Sequence, residues 1–105
     1  MSDVDLAGRS LTGVRLAKAR LTGANLSRAE LSDVDLTEAD LTAATFFEAT
    51  LTRCKVDRAT LTGADLAGAR LFDCDLRGTD LTDATLIKTE LWQCDLTDAI
   101  LRGAH

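Results

Sequence analysis

Residues 21–41 read LTGANLSRAELSDVDLTEADL. Leu21, Leu26, Leu31, Leu36 and Leu41 recur every five residues, and a small residue stands two places before each (Ala19, Ala24, Ala29, Val34, Ala39). An α-helix turns about 100° per residue, so a five-residue step turns about 140° and scatters these leucines around the whole cylinder. A helix cannot bury this pattern on one side. Within a unit such as Ala24-Asn25-Leu26 the order is small, polar, large, which is the in-out-in alternation of an extended strand. The two residues after each leucine are commonly Thr, Ser, Gly, Asp or Arg, which suit a corner. Each unit is therefore a short extended segment closed by a turn.

The same spacing extends in both directions from this stretch. From Leu6 to Leu101 all twenty positions at five-residue steps are large and apolar, and all but Phe46 and Val56 are leucine. The repeat occupies the chain from about Val4 onward without a linker, so residues 1–105 are expected to form a single domain. In its Ala-(Asp/Asn)-Leu-X-X units, for example Ala39-Asp40-Leu41 and Ala64-Asp65-Leu66, the chain resembles the pentapeptide-repeat family. The resemblance implies an all-β fold, a right-handed quadrilateral parallel β-helix of about five coils of twenty residues, four pentapeptides forming the four sides of a coil. At about 4.8 Å per coil this is a rod about 24 Å long.

A twenty-residue coil places residues twenty apart directly above one another, and the small inward position supports it. Three of its columns are mostly alanine, for example Ala24, Ala44, Ala64 and Ala84, whereas the fourth reads Val14, Val34, Cys54, Cys74, Cys94. The cysteines then read as stacked small hydrophobes of the core, alongside Leu26, Phe46, Val56 and Leu66. Parallel stacked side chains point the same way, which disfavours a disulfide. The cysteines lack close-spaced ligand pairs and the single histidine, His105, is terminal, so no metal or other cofactor is expected. An odd number of cysteines without a paired framework fits a reducing cytoplasm.

Outward positions carry the charge. Arg15, Asp35, Lys55, Asp75 and Asp95 form one column and Lys18, Glu38, Arg58, Gly78 and Asp98 another, so opposite charges on successive coils are expected to pair. Asp75 above Asp95 is the one place in these columns where like charges could draw in a cation. Thr22, Thr42, Thr62 and Thr82 make a ladder of the kind an ice-binding face uses, although threonine is also the ordinary residue at this repeat position. All seven glycines fall at corners or in the terminal unit and read as turn residues.

The net charge of −5 is mildly acidic and unevenly spread. It argues against direct nucleic-acid binding, which needs a basic patch on the phosphates. No stretch of about 18 residues is free of charge, so no membrane span is expected, and no signal peptide is read at the N-terminus. No nucleophile–base pair or phosphate-binding glycine loop is present, so the chain reads as a non-enzyme.

The outward position after the leucine is normally Thr, Ser or Ala, but becomes Phe47, Phe72, Ile87 and Trp92, with Ile100 at another position usually polar. These five are the candidate contact residues, with Phe72 and Trp92, twenty apart, expected to stack on one face. Open strand edges at the ends of a solenoid need protection, which makes a homodimer through the C-terminal half or end the simplest partner. The reading of function is a protein-interaction scaffold with an unidentified protein partner. The resemblance adds a second: some pentapeptide-repeat proteins mimic DNA, bind DNA gyrase and protect it from quinolones. Against that stand the small number of coils, no evident C-terminal dimerisation helix and mixed charge where a mimic needs a broad acidic surface.

Overall fold

The structure is a computed structural model that describes residues 3–105. Five three-residue strands lie on one side of the molecule: β1 Ser10–Thr12, β2 Glu30–Ser32, β3 Thr50–Thr52, β4 Arg70–Phe72 and β5 Glu90–Trp92. They form one parallel sheet in the order β1-β2-β3-β4-β5, with Leu11, Leu31, Leu51, Leu71 and Leu91 in register at twenty-residue intervals. The other three sides repeat the interval as single-residue parallel pairings, for example Asp5–Asn25–Thr45–Asp65–Thr85. The chain is thus a quadrilateral parallel β-helix. From β1 to β5 it makes four complete turns, with partial turns outside them, so the count is slightly below the five coils expected. The molecule measures 28 × 25 × 25 Å. A stack this short is as wide as it is long, which makes it a block and not the rod foreseen.

Every corner shares one backbone feature. The residue two after each large apolar one has a positive φ, from Asp3 at 57° to Gly103 at 70°, in fourteen non-glycine residues and all seven glycines. The left-handed conformation is what bends the chain sharply enough to begin a new side after one extended segment. On the three sides outside β1–β5 the turn closes with a bond from the residue after the corner, as in Ala24 N–H to Leu21 O at 3.0 Å, whereas the corners that follow the strands carry no such bond. At Gly23 and Gly103 the space a Cβ would take is occupied by the carboxylate tip of exposed Asp3 or Asp83 in the coil below, a flexible group that can swing aside, so the positive φ is what favours glycine there.

The core is the interior of the square. Leu21 through Leu81 and the small residues between them are fully buried, Phe46 and Val56 included. These two residues are ten apart, half a coil, so the oversized Phe46 faces the undersized Val56 across the axis and together they fill about the volume of two leucines. A narrow cavity of about 100 Å³, lined only by apolar side chains, follows the axis above them. Where the small position carries a donor, the donor finds a carbonyl in the coil beneath. Cys54 Sγ–H donates to Leu31 O at 3.5 Å, Cys74 to Leu51 O at 3.5 Å, and the fully buried Thr79 Oγ1–H to Val56 O at 2.8 Å. No buried side-chain polar atom among the described residues is left without a partner, as a close-packed interior requires. Toward the ends the cover is lost: Leu91 and Leu101 are 40% and 48% exposed, and Cys94 is only half-buried, unlike Cys54 and Cys74.

Candidate interaction surface

The outward side chains divide into corner charges, polar side columns and the apolar exceptions. At the corners, opposite charges twenty residues apart meet directly. Arg53 grips Asp33 with two bonds (Nε to Oδ1 2.9 Å, Nη2 to Oδ2 3.1 Å), Arg28 Nε donates to Glu48 Oε1 at 3.0 Å, and Glu38 lies between Lys18 at 3.8 Å and Arg58 at 3.7 Å. The Arg53 hydrogen bond holds the Asp33 carboxyl below the usual carboxylate range. These pairs are solvent-exposed, so they set register more than they add stability.

The side column Arg15–Asp35–Lys55–Asp75–Asp95 pairs through its backbone, but its charges do not form the direct ladder expected. Its aspartates turn sideways along their own strand. Asp35 Oδ1 accepts from the Thr37 hydroxyl at 2.6 Å and the Thr37 N–H at 3.0 Å, and the same geometry recurs at Asp95 with Thr97. Asp40 and Asp80 are held likewise by Thr42 and Thr82. In each case the threonine hydroxyl and then its N–H stabilise the anion and lower the carboxyl pKa. Two of the four threonines in the Thr22, Thr42, Thr62 and Thr82 column thus spend their hydroxyl protons on the chain's own carboxylates. The cation drawn in by Asp75 above Asp95 is Arg77, whose Nη2 lies 2.7 Å from Asp75 and Nε 3.9 Å from Asp95. Arg77 stands two residues along the same side as Asp75, so a comparison of residues twenty apart does not bring the two together.

The five apolar candidates do not make one patch. Phe72 and Trp92 do meet, as in-register partners of β4 and β5. Phe72 is half-buried and Trp92 55% exposed. Trp92 Nε1–H donates to Glu90 Oε1 at 3.2 Å, and Glu90 lies 4.0 Å from Arg70, all three side chains being exposed. Ile87, 56% exposed, lies on the preceding side in the column of half-buried Phe47, separated from it by Ala67. Phe47 carries Arg28 over its ring, 5.5 Å from the centroid, a cation–π contact. Ile100 is on a third side, next to exposed Leu101 at the C-terminal end. Charged clefts at Gly78 and Gly68 are open notches where a corner lacks a side chain.

Among the described residues no group of three or more His, Cys, Asp or Glu side chains is placed to hold a metal ion. No helix among the described residues is long and apolar enough to cross a membrane. The three cysteines are free thiols. The neighbouring thiol of Cys54 and burial push the Cys74 thiol pKa upward, and burial does the same at Cys94.

A four-sided stack of five-residue units, polar outside and leucine inside, defines a class of repeat protein whose working parts are its faces and ends. The profile of pentapeptide repeats matches in eight copies over residues 1–37, 24–63 and 64–103. The chain belongs to the pentapeptide-repeat family. No curated protein sequence matches it. Among solved structures it is similar to a pentapeptide repeat protein of the Arabidopsis thaliana thylakoid lumen, with 27% identity and a TM-score of 0.87 over 90% of this chain and 66% of that one. Full-length QnrB1, a plasmid-mediated fluoroquinolone resistance protein, is 24% identical with a TM-score of 0.51 over 100% of this chain and 48% of that one, a likeness of fold alone. The chain thus spans just under two thirds of the first of these and about half of the second.

Proposed function

We propose that this chain is a non-enzymatic protein-interaction scaffold whose contact face is centred on Phe72 and Trp92. The observation that carries this is the in-register aromatic pair on an otherwise polar sheet, with the indole bonded to Glu90 while more than half of Trp92 stays in solvent. Exposed aromatics held rigid bury large area at little entropic cost, which is why they anchor protein interfaces. The ligand of such a face is a protein surface with an apolar cleft rimmed by charge, complementary to Arg70 and Glu90. The double variant Phe72→Ala/Trp92→Ala is expected to keep its melting temperature within a few degrees and to lose capture of its partner from a lysate. Unchanged capture and unchanged oligomeric state would refute the reading.

A second copy of the chain, meeting the C-terminal end where Leu91, Ile100 and Leu101 lie open, is the partner we propose for that end. Three free thiols suit a reducing compartment, and we place the protein in the cytoplasm. Gyrase modulation remains the other family activity to test. The outer surface interleaves acidic and basic corners, with Arg28–Glu48, Asp33–Arg53 and Lys18–Glu38–Arg58 cancelling locally, which disfavours mimicry of a uniformly charged duplex. A supercoiling assay is expected to show no relief of quinolone inhibition. Relief at stoichiometric protein would replace the scaffold reading with this one.

A further inference from the structure

The interior is not filled evenly along its axis. Leu21 through Leu41 keep at most 1% of their surface, whereas Val56, Leu76 and Leu81 keep 3% and Leu66 keeps 4%. The alanines interleaved with them, Ala64, Ala69 and Ala84, keep none. The surface that the larger side chains retain therefore faces inward, onto the cavity of about 100 Å³ that runs above the Phe46 ring. Side-chain reach accounts for it. A leucine fork extends less far toward the axis than a phenyl ring, and Val56 is a methylene smaller again. The side chains close on one another around Phe46 and fall short of one another beyond it, leaving a gap in an otherwise close-packed core.

This space offers nothing to water. Its lining is the Phe46 ring, Val56 and leucines, with no polar side chain among them. The backbone around it is spent on the ladder between coils, as in Leu61 N–H to Asp80 O at 2.7 Å and Leu66 N–H to Thr85 O at 2.8 Å. A trapped water needs about two to four polar partners, so the cavity is dry. Atoms that line an empty space forgo dispersion contacts, and an occupant that fits restores them.

We infer that this axial cavity binds a small apolar molecule, a monatomic gas or a short straight alkane, seated between the Phe46 ring and Leu81. An enclosed apolar cavity of about 150 Å³ takes up benzene or xenon. Here a smaller volume is drawn out along a lining that runs from Leu36 to Leu101, just over three turns of twenty residues, so the occupant must be thin. A hydroxyl or a charge on it would be left without a partner, which excludes polar ligands. The stretch from Phe46 to Leu81 is walled by buried alanines and lies inside the stack. Further coils beyond residue 105 would leave it as it is, and it is independent of what the outer faces bind.

The test is methyl-resolved NMR of the leucine- and valine-labelled chain under stepwise xenon pressure. Saturable shifts are expected at Val56, Leu61, Leu66 and Leu76, with none at Leu21, Leu26 and Leu31, and propane should move the same methyls. Leu66 stands directly above Phe46, twenty residues on, so Leu66→Phe repeats the ring one turn higher and should abolish the shifts. Val56→Ala enlarges the cavity and should bring saturation at lower pressure, which keeps the comparison open should the phenylalanine variant melt early. No shift, shifts that grow linearly with pressure at every methyl, or shifts unchanged in both variants would overturn the inference. Saturable shifts confined to Leu91, Leu96 and Leu101 would overturn it too, since the gas would then occupy the last turn alone.

Discussion

At the residue scale the corner is the repeated cost of the fold. Fourteen non-glycine side chains sit at φ between 52° and 62°, a region costing an L-residue roughly 1–2 kcal/mol. Ala43, at 60° and exposed, has no side-chain bond to offset that cost. Ala43→Gly is expected to stabilise the protein by about 0.5–1 kcal/mol, less than the full strain because glycine also gains freedom in the unfolded chain. Gly63→Ala, where a Cβ would meet nothing within 4 Å, should destabilise by about 1 kcal/mol through the backbone alone. Urea denaturation of the two variants checks both signs. A result with Ala43→Gly neutral and Gly63→Ala neutral would mean the corners are not strained.

At the scale of one coil, Phe46 and Val56 act as a pair. Phe46→Leu alone should open a void and cost about 1–2 kcal/mol, and Val56→Leu alone should crowd the phenyl ring and cost a similar amount. The double variant restores a four-leucine coil and should recover most of the loss, a coupling of about 1 kcal/mol or more in a double-mutant cycle. Strictly additive losses would show that the two side chains do not share one space. The period of five and the twenty-residue columns make the strand register legible before any coordinates, because inward and outward positions never change phase along the chain. The compensation of Phe46 by Val56 was not read there, although half a coil is also a fixed spacing. Columns compare residues on one side, and volume matching runs across the axis. Arg77 escapes for a related reason: columns compare residues twenty apart, whereas its bond to Asp75 runs two residues along one side.

For the whole molecule, the repeated aspartate–threonine bonds predict how the stack responds to acid. Asp35, Asp40 and Asp80 have folded-state pKa values below their ordinary one, from the hydroxyl and N–H of Thr37, Thr42 and Thr82. Depressed carboxyl values stabilise the fold above the unfolded pKa of about 3.9, and that contribution is lost as the pH falls through the folded values. The melting temperature should therefore be flat from neutrality to about pH 5 and decline below about pH 4. Asp40→Asn keeps an acceptor for Thr42 without the charge and should make the acid decline shallower. An unchanged acid limb in that variant would place the loss elsewhere. The faces were less legible than the core. Phe72 and Trp92 meet as their spacing implies, and the same count puts Ile87 above Phe47 on the preceding side with Ala67 between, where the structure has them; Ile100 lies on a third side. What binds there is written in the partner as much as in this chain.

Because every coil offers its neighbours the same edges, the gene can lengthen the protein by copying itself. A duplication of twenty residues anywhere in the interior inserts one complete turn and moves nothing sideways. A duplication of five keeps the leucines inward and the corners in place, yet rotates everything beyond it by a quarter turn. Placed between Thr52 and Phe72, it would carry the Phe72–Trp92 pair onto another side relative to the basic first coil while leaving the core pattern unbroken. In this architecture a short in-frame insertion is a change of aim, and the arrangement of surfaces can evolve almost independently of the fold that carries them.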